Sequence, residues 1–90
     1  ELEAELVTHP AIADAAVIGK PDDEAGELPL AFIVAAPGQA APTLKEVQDY
    51  LETRLAHYKQ VRALEVVDEI PKSASGKILR RFLRDRIGAA

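Results

Sequence analysis

Ninety residues allow one small domain with a single core but no enclosed active site with a deep pocket, so any catalysis by this chain needs a partner surface. A hydrophobic share of 48% beside 29% charged residues is globular rather than disordered composition, while no cysteine and only two well-separated histidines argue against a disulfide framework and against thiolate or histidine-rich metal sites. The net charge of −4 is divided unevenly: residues 1–70 hold 5 Lys and Arg against 14 Asp and Glu, and residues 71–90 hold 6 against 1, an acidic body with a basic tip that suits a small anionic ligand better than a long nucleic acid.

No apolar run approaches the roughly 20 residues that span a bilayer, and the start, Glu1 to Glu5, is acidic where a signal peptide is basic. A cytoplasmic location is the expectation, and cysteine-free composition fits a reducing compartment. The chain opens without methionine and directly in helical pattern, which leads us to expect a piece of something longer.

Leu2 and Leu6, four residues apart among glutamates, predict a short amphipathic helix whose acids suit its N-terminal dipole. His9-Pro10 stops it, and His9 reads as a capping or surface residue at the helix end. Residues 13–20, with β-branched Val17 and Ile18, predict a strand. Residues 21–27 form a polar loop whose carboxylates (Asp22, Asp23, Glu24, Glu27) read as solvated rather than as a metal site. Residues 28–36 are the most apolar segment and predict a strand covered on both faces, with Pro29 confined to its start or to an edge. The two strands are close enough to pair antiparallel through the acidic loop.

Thr43 and Glu46 have the spacing of a capping box, and Leu44, Val47, Leu51, Leu55 and Tyr58 then repeat at 3, 4, 4 and 3 residues, predicting a helix with His57 near its end. Residues 62–70 predict a third strand ended by Pro71, and Leu79, Leu83 and Ile87 predict a last helix, with Phe82 beside this stripe and Arg80, Arg81 and Arg84 on other faces. The expected fold is α+β in the order α-β-β-α-β-α: a two-layer domain with a three-stranded sheet and helices packed against it.

The chemistry concentrates in Pro71-Lys72-Ser73-Ala74-Ser75-Gly76-Lys77-Ile78-Leu79-Arg80-Arg81. Gly76-Lys77 is not a Walker loop, because the glycine required five residues earlier is Pro71 and the required Ser or Thr after the lysine is Ile78. It remains an anion-directed lysine: Gly76 gives backbone freedom, the serines orient the loop, and an adjoining helix start is expected to add a positive dipole end. An ordinary surface lysine is the other reading.

This stretch resembles the C-terminal signature of the adenylate-forming acyl-CoA synthetases, the superfamily that includes firefly luciferase and the adenylation domains of nonribosomal peptide synthetases. Glu1-Leu2-Glu3 with His9-Pro10, Asp14 to Gly19 with Pro21-Asp22, Gly26-Glu27 with Ala31 to Val34, and Tyr58-Lys59 with Val67 to Pro71 are similar to the same family in the same order. Tyr58 to Arg62, with the Ser75 to Arg81 segment, looks most like the branch of 4-coumarate-CoA and fatty-acyl-CoA ligases.

The resemblance implies that residues 1–90 are the mobile C-terminal lid of a two-domain ligase whose large N-terminal AMP-binding domain, absent from this chain, holds most of the ATP and carboxylate sites. The implied reaction joins a carboxylic acid to ATP, with Mg2+, as an acyl-adenylate, from which CoA then displaces AMP. The implied catalytic residue is Lys77, with Ser75 and Gly76 shaping a substrate-binding loop; no role follows for Lys72. The family's hinge and glycine-rich loop would lie before Glu1, so the second half-reaction does not map onto these residues. Acetylation of Lys77 by a lysine acetyltransferase is implied as an off-switch. Other readings are the lid of a peptide-synthetase adenylation domain that serves a carrier protein, a nucleic-acid-binding module using Arg80, Arg81, Arg84 and Arg86, and a protein-binding module without catalysis.

Overall fold

A computed structural model describes residues 2–24, 26–55 and 60–89. Its elements are α1 (Leu2–Leu6), β1 (Ile12–Asp22), β2 (Gly26–Ala35), α2 (Leu44–Glu52), β3 (Ala63–Val66) and α3 (Arg80–Ala89), an α+β domain in the expected order. The sheet order is β1-β2-β3, antiparallel between β1 and β2 and parallel between β2 and β3. A parallel neighbour demands a long crossover, and the segment containing α2 supplies it.

Both strands of the hairpin run further into the acidic segment than its composition foretells. Pro21 pairs with Glu27 and Asp22 with Gly26, whose φ of 80° reverses the chain, so the loop is shorter than 21–27. Pro29 lies in the central strand, yet its carbonyl accepts from the Arg62 N–H on the β3 side just before β3 pairing begins at Leu30. Its nitrogen faces the same way, toward a place where no strand needs a donor.

Alternation along the strands feeds two cores. Ala15, Ala31 and Ile33 join Leu6 of α1 and Val47 and Leu51 of α2, while Ala16, Ile18, Leu30 and Phe32 join Ile70 and Leu83 of α3. The sheet is therefore covered on both faces, one helical layer more than the two-layer expectation. The cause is visible in β2, where consecutive residues Leu30 to Ile33 are all buried and neither face tolerates water.

The capping box forms as the sequence indicates: Thr43 Oγ1 accepts from the Glu46 N–H at 3.2 Å, and Glu46 Oε1 accepts from the Thr43 N–H at 2.8 Å. The helix ends earlier than its apolar repeat, at Glu52. Thr53 donates its hydroxyl to the Tyr50 carbonyl at 3.0 Å, and the Arg54 and Leu55 N–H groups both close on the Leu51 carbonyl. A β-branched residue bonding a nearby carbonyl competes with helix continuation. His57, Tyr58 and Lys59 lie outside the described residues. The third strand is also shorter than expected, four residues from Ala63 to Val66, with Arg62 and Val67 adding one hydrogen bond each to β2 at its ends.

The first helix is pinned to α2 by side chains. Arg54 Nε donates to Glu5 Oε2 at 2.9 Å, a hydrogen bond that raises the arginine pKa further, and its guanidinium lies 4.8 Å from the Tyr50 ring centre. His9 Nδ1 accepts from the Ala11 N–H at 3.0 Å while the ring meets Tyr50 edge-on. His9 thus caps a turn. No helix among the described residues is long and apolar enough to cross a membrane.

Candidate functional site

Lys77 stands on a small hairpin rather than on a helix. Lys72 and Ile78 form an isolated antiparallel bridge, the Ser73 N–H donates to the Lys77 carbonyl at 2.8 Å, and the Gly76 N–H donates to the Ser73 carbonyl at 2.9 Å. Gly76 has φ 86°, the left-handed position that a three-residue hairpin loop requires at its last residue. Lys77 is not itself at the helix start, because the hairpin takes up its N–H and carbonyl and α3 opens only at Arg80.

Of the residues singled out in the sequence, Ser75 and Gly76 are exposed in this loop and Lys77 is exposed beside them. Ser73, rather than Ser75, does most of the fixing. Its hydroxyl accepts from the Lys77 N–H at 3.2 Å and shares a hydrogen bond with the Ser75 hydroxyl at 3.0 Å. The Lys77 ammonium has no hydrogen bond or ion pair among the described residues. It borders a shallow, open hollow lined by Ile78, Leu79, Arg80, Arg81 and Phe82.

Two further side chains enter the site without a local signal. Lys72 Nζ bonds Asp14 Oδ2 at 2.5 Å, and Arg80 Nη2 donates to both oxygens of Glu3 at 2.8 and 2.6 Å. Arg80 and Arg86, which meets Glu65 at 3.2 Å, are neutralised within the domain. Phe82 is half exposed, outside the buried stripe, with the Arg81 guanidinium 5.7 Å from its ring centre. Among the described residues no group of three or more His, Cys, Asp or Glu could hold a metal ion.

An exposed, unpartnered ammonium on a fixed loop can meet an anion carried by another surface, but has no walls of its own to enclose one. Comparison with known proteins gives that arrangement a context. The family described as AMP-binding enzyme C-terminal domain matches residues 1–77, a span that ends on Lys77. The 4-coumarate–CoA ligase-like 1 of Arabidopsis thaliana is 52% identical over 87 residues, 97% of this chain and 16% of that protein. The 4-coumarate–CoA ligase 1 of Glycine max is 46% identical over 90 residues, all of this chain and 31% of that protein. Among solved structures, the Brucella canis acyl-CoA synthetase superposes with a TM-score of 0.87 at 34% identity, over 98% of this chain and 17% of that one. An o-succinylbenzoate CoA synthetase of Bacillus subtilis, in complex with its acyl-adenylate intermediate, gives 0.82 at 39% identity, over 94% and 17%. The chain thus spans a minor part of the length of the relatives it matches. By its sequence from end to end and by its fold, it belongs to the AMP-binding enzyme C-terminal domains of the acyl-CoA ligase family.

Proposed function

We propose that this domain supplies Lys77 to the adenylation step of an ATP-dependent acid–CoA ligase whose large AMP-binding domain holds most of the substrate contacts. The observation that carries this reading is the Lys77 ammonium itself: exposed, without a partner among the described residues, and mounted on a hairpin whose ends are joined by hydrogen bonds between Ser73 and Lys77.

In the first half-reaction a carboxylate oxygen attacks the α-phosphorus of ATP and pyrophosphate leaves, giving the acyl-adenylate. Two anions must approach, and a desolvated ammonium between them lowers that barrier and orients the attack. Mg2+ enters bound to ATP as part of the substrate. In the second half-reaction the CoA thiol attacks the acyl carbon, its proton is lost, and AMP leaves with the bond electrons. CoA rather than a carrier protein is the favoured acceptor because the relatives are named as CoA ligases. The domain moves as a lid, placing Lys77 for the first half and withdrawing it for the second. Ser75 and Gly76 act through the loop's shape. Acetylation of the exposed Lys77 by an acetyltransferase would remove the charge that the first half uses.

The test is Lys77→Ala in the full-length ligase. ATP–pyrophosphate exchange should fall by about 10² to 10³, the usual cost of removing one preorganised charge-stabilising donor, while supplied acyl-adenylate is still consumed by CoA. Exchange at the wild-type rate would overturn the assignment.

A further inference from the structure

We infer that the ion pairs Lys72–Asp14 and Arg80–Glu3 are a two-legged clamp that aims Lys77, which makes Glu3 and Asp14 positioning residues for the adenylation chemistry. The inference rests on the reading of Lys77 given above.

The geometry is specific. Lys72 lies on one leg of the Lys77 hairpin, in the bridge opposite Ile78, and Arg80 follows the other leg as the first residue of α3. Each leg carries one ion pair, and both acids come from the first quarter of the chain: Asp14 from β1 and Glu3 from α1. Glu3 does more than balance a charge. Its Oε2 also accepts from the Val17 N–H at 2.7 Å, and β1 is an edge strand whose outward N–H groups have no ladder partner. One carboxylate therefore receives three hydrogen bonds and ties α1, the open edge of β1 and the start of α3 at a single point. Between the legs the Leu79 N–H closes on the Pro71 carbonyl at 2.9 Å.

Magnitudes separate a positioning role from a stabilising one. The four side chains are between 26% and 39% exposed, and partly solvated ion pairs of this kind contribute little to folding. Their effect on reaction geometry has no such ceiling, since a reacting group displaced by about 1 Å can lose roughly 10²-fold in rate. A loop that carries the reacting group and buries no side chain of its own, Ser73 to Lys77, depends on its legs for its position.

The experiment compares Glu3→Gln, Asp14→Asn and the exchanged pair Asp14→Lys with Lys72→Asp in the full-length ligase, with Lys77→Ala as reference. Both half-reactions and the thermal midpoint are followed. The clamp predicts that each single variant loses about tenfold to a hundredfold in the rate constant for acyl-adenylate formation, with KM for ATP and the consumption of supplied acyl-adenylate by CoA within about twofold of wild type. The exchanged pair should recover most of the loss seen in Asp14→Asn, because charge and reach are restored on the same leg. Amide exchange at Ser73 to Lys77 should quicken in the single variants while that of β2 stays slow. Equal losses in both half-reactions, a lowered thermal midpoint with unchanged adenylation, or an exchanged pair no better than the single variant would each overturn the clamp. If Lys77→Ala abolishes adenylation and the clamp variants do not slow it, the clamp alone fails; if Lys77→Ala is itself harmless, the underlying assignment of Lys77 fails and the clamp with it.

Discussion

Gly76 is held at φ 86°, and a β-carbon added there would meet nothing within 4 Å, so its role is conformational rather than steric. Gly76→Ala should cost about 1–2 kcal/mol through the left-handed backbone alone. The larger consequence should be chemical, because the turn relaxes directly beside Lys77. In the full-length ligase adenylation should fall further than the loss of stability explains, as measured by pyrophosphate exchange alongside urea unfolding. Lys77→Arg keeps the charge but replaces a compact ammonium with a planar fork. Exchange should remain well below wild type in this variant, and full activity would mean that charge, not placement, is all the step requires. At this scale the sequence was informative about Gly76, whose type matches its positive φ, and it singled out Lys77 for the role proposed above. It was silent about the pairing of Glu3 with Arg80 and of Asp14 with Lys72, because an ion pair between residues 58 or 77 positions apart leaves no spacing to read.

At the scale of elements, α2 shows how local chemistry starts a helix and also stops it. Thr43→Ala removes one half of the capping box and should cost about 1 kcal/mol, which for a chain of this size is a fall of roughly 4–8 °C in thermal midpoint. Leu51→Ala opens a cavity under the same helix at a fully buried position and should cost about 2–5 kcal/mol, read as a lower urea midpoint with little change in slope. The capping box was legible because both partners are three residues apart. The early end at Glu52 was not, since the apolar repeat through Leu55 continues past the point where the Thr53 hydroxyl bonds the backbone. Leu55 still packs against the core, so apolar spacing reported burial correctly and helix length incorrectly.

Across the molecule, the sheet separates two cores, and Phe32 is the largest fully buried side chain among the described residues. It belongs to the core beneath α3, so Phe32→Ala should cost about 3–5 kcal/mol and loosen α3, which carries Arg80. Amide exchange should show α3 opening before α2, whose own core on the other face retains its contacts. The charge division of the chain also takes on structure at this scale. Two of the four arginines near the C-terminus are neutralised by Glu3 and Glu65, leaving Lys77, Arg81 and Arg84 as the cations of that region without an acidic partner among the described residues.

The sequence alone determined the order of elements, the hairpin of β1 and β2, the capped start of α2, the double burial of β2 and the lysine on which the chemistry is proposed to turn. All of these rest on interactions between near neighbours or on the type of a single residue, and such interactions are written locally. Tertiary structure decided the parallel seat of β3, the second helical layer, the hairpin under Lys77 and the two ion pairs at its legs. Those join residues distant in the chain, where closing the fold, not the spacing of side chains, fixes which groups meet.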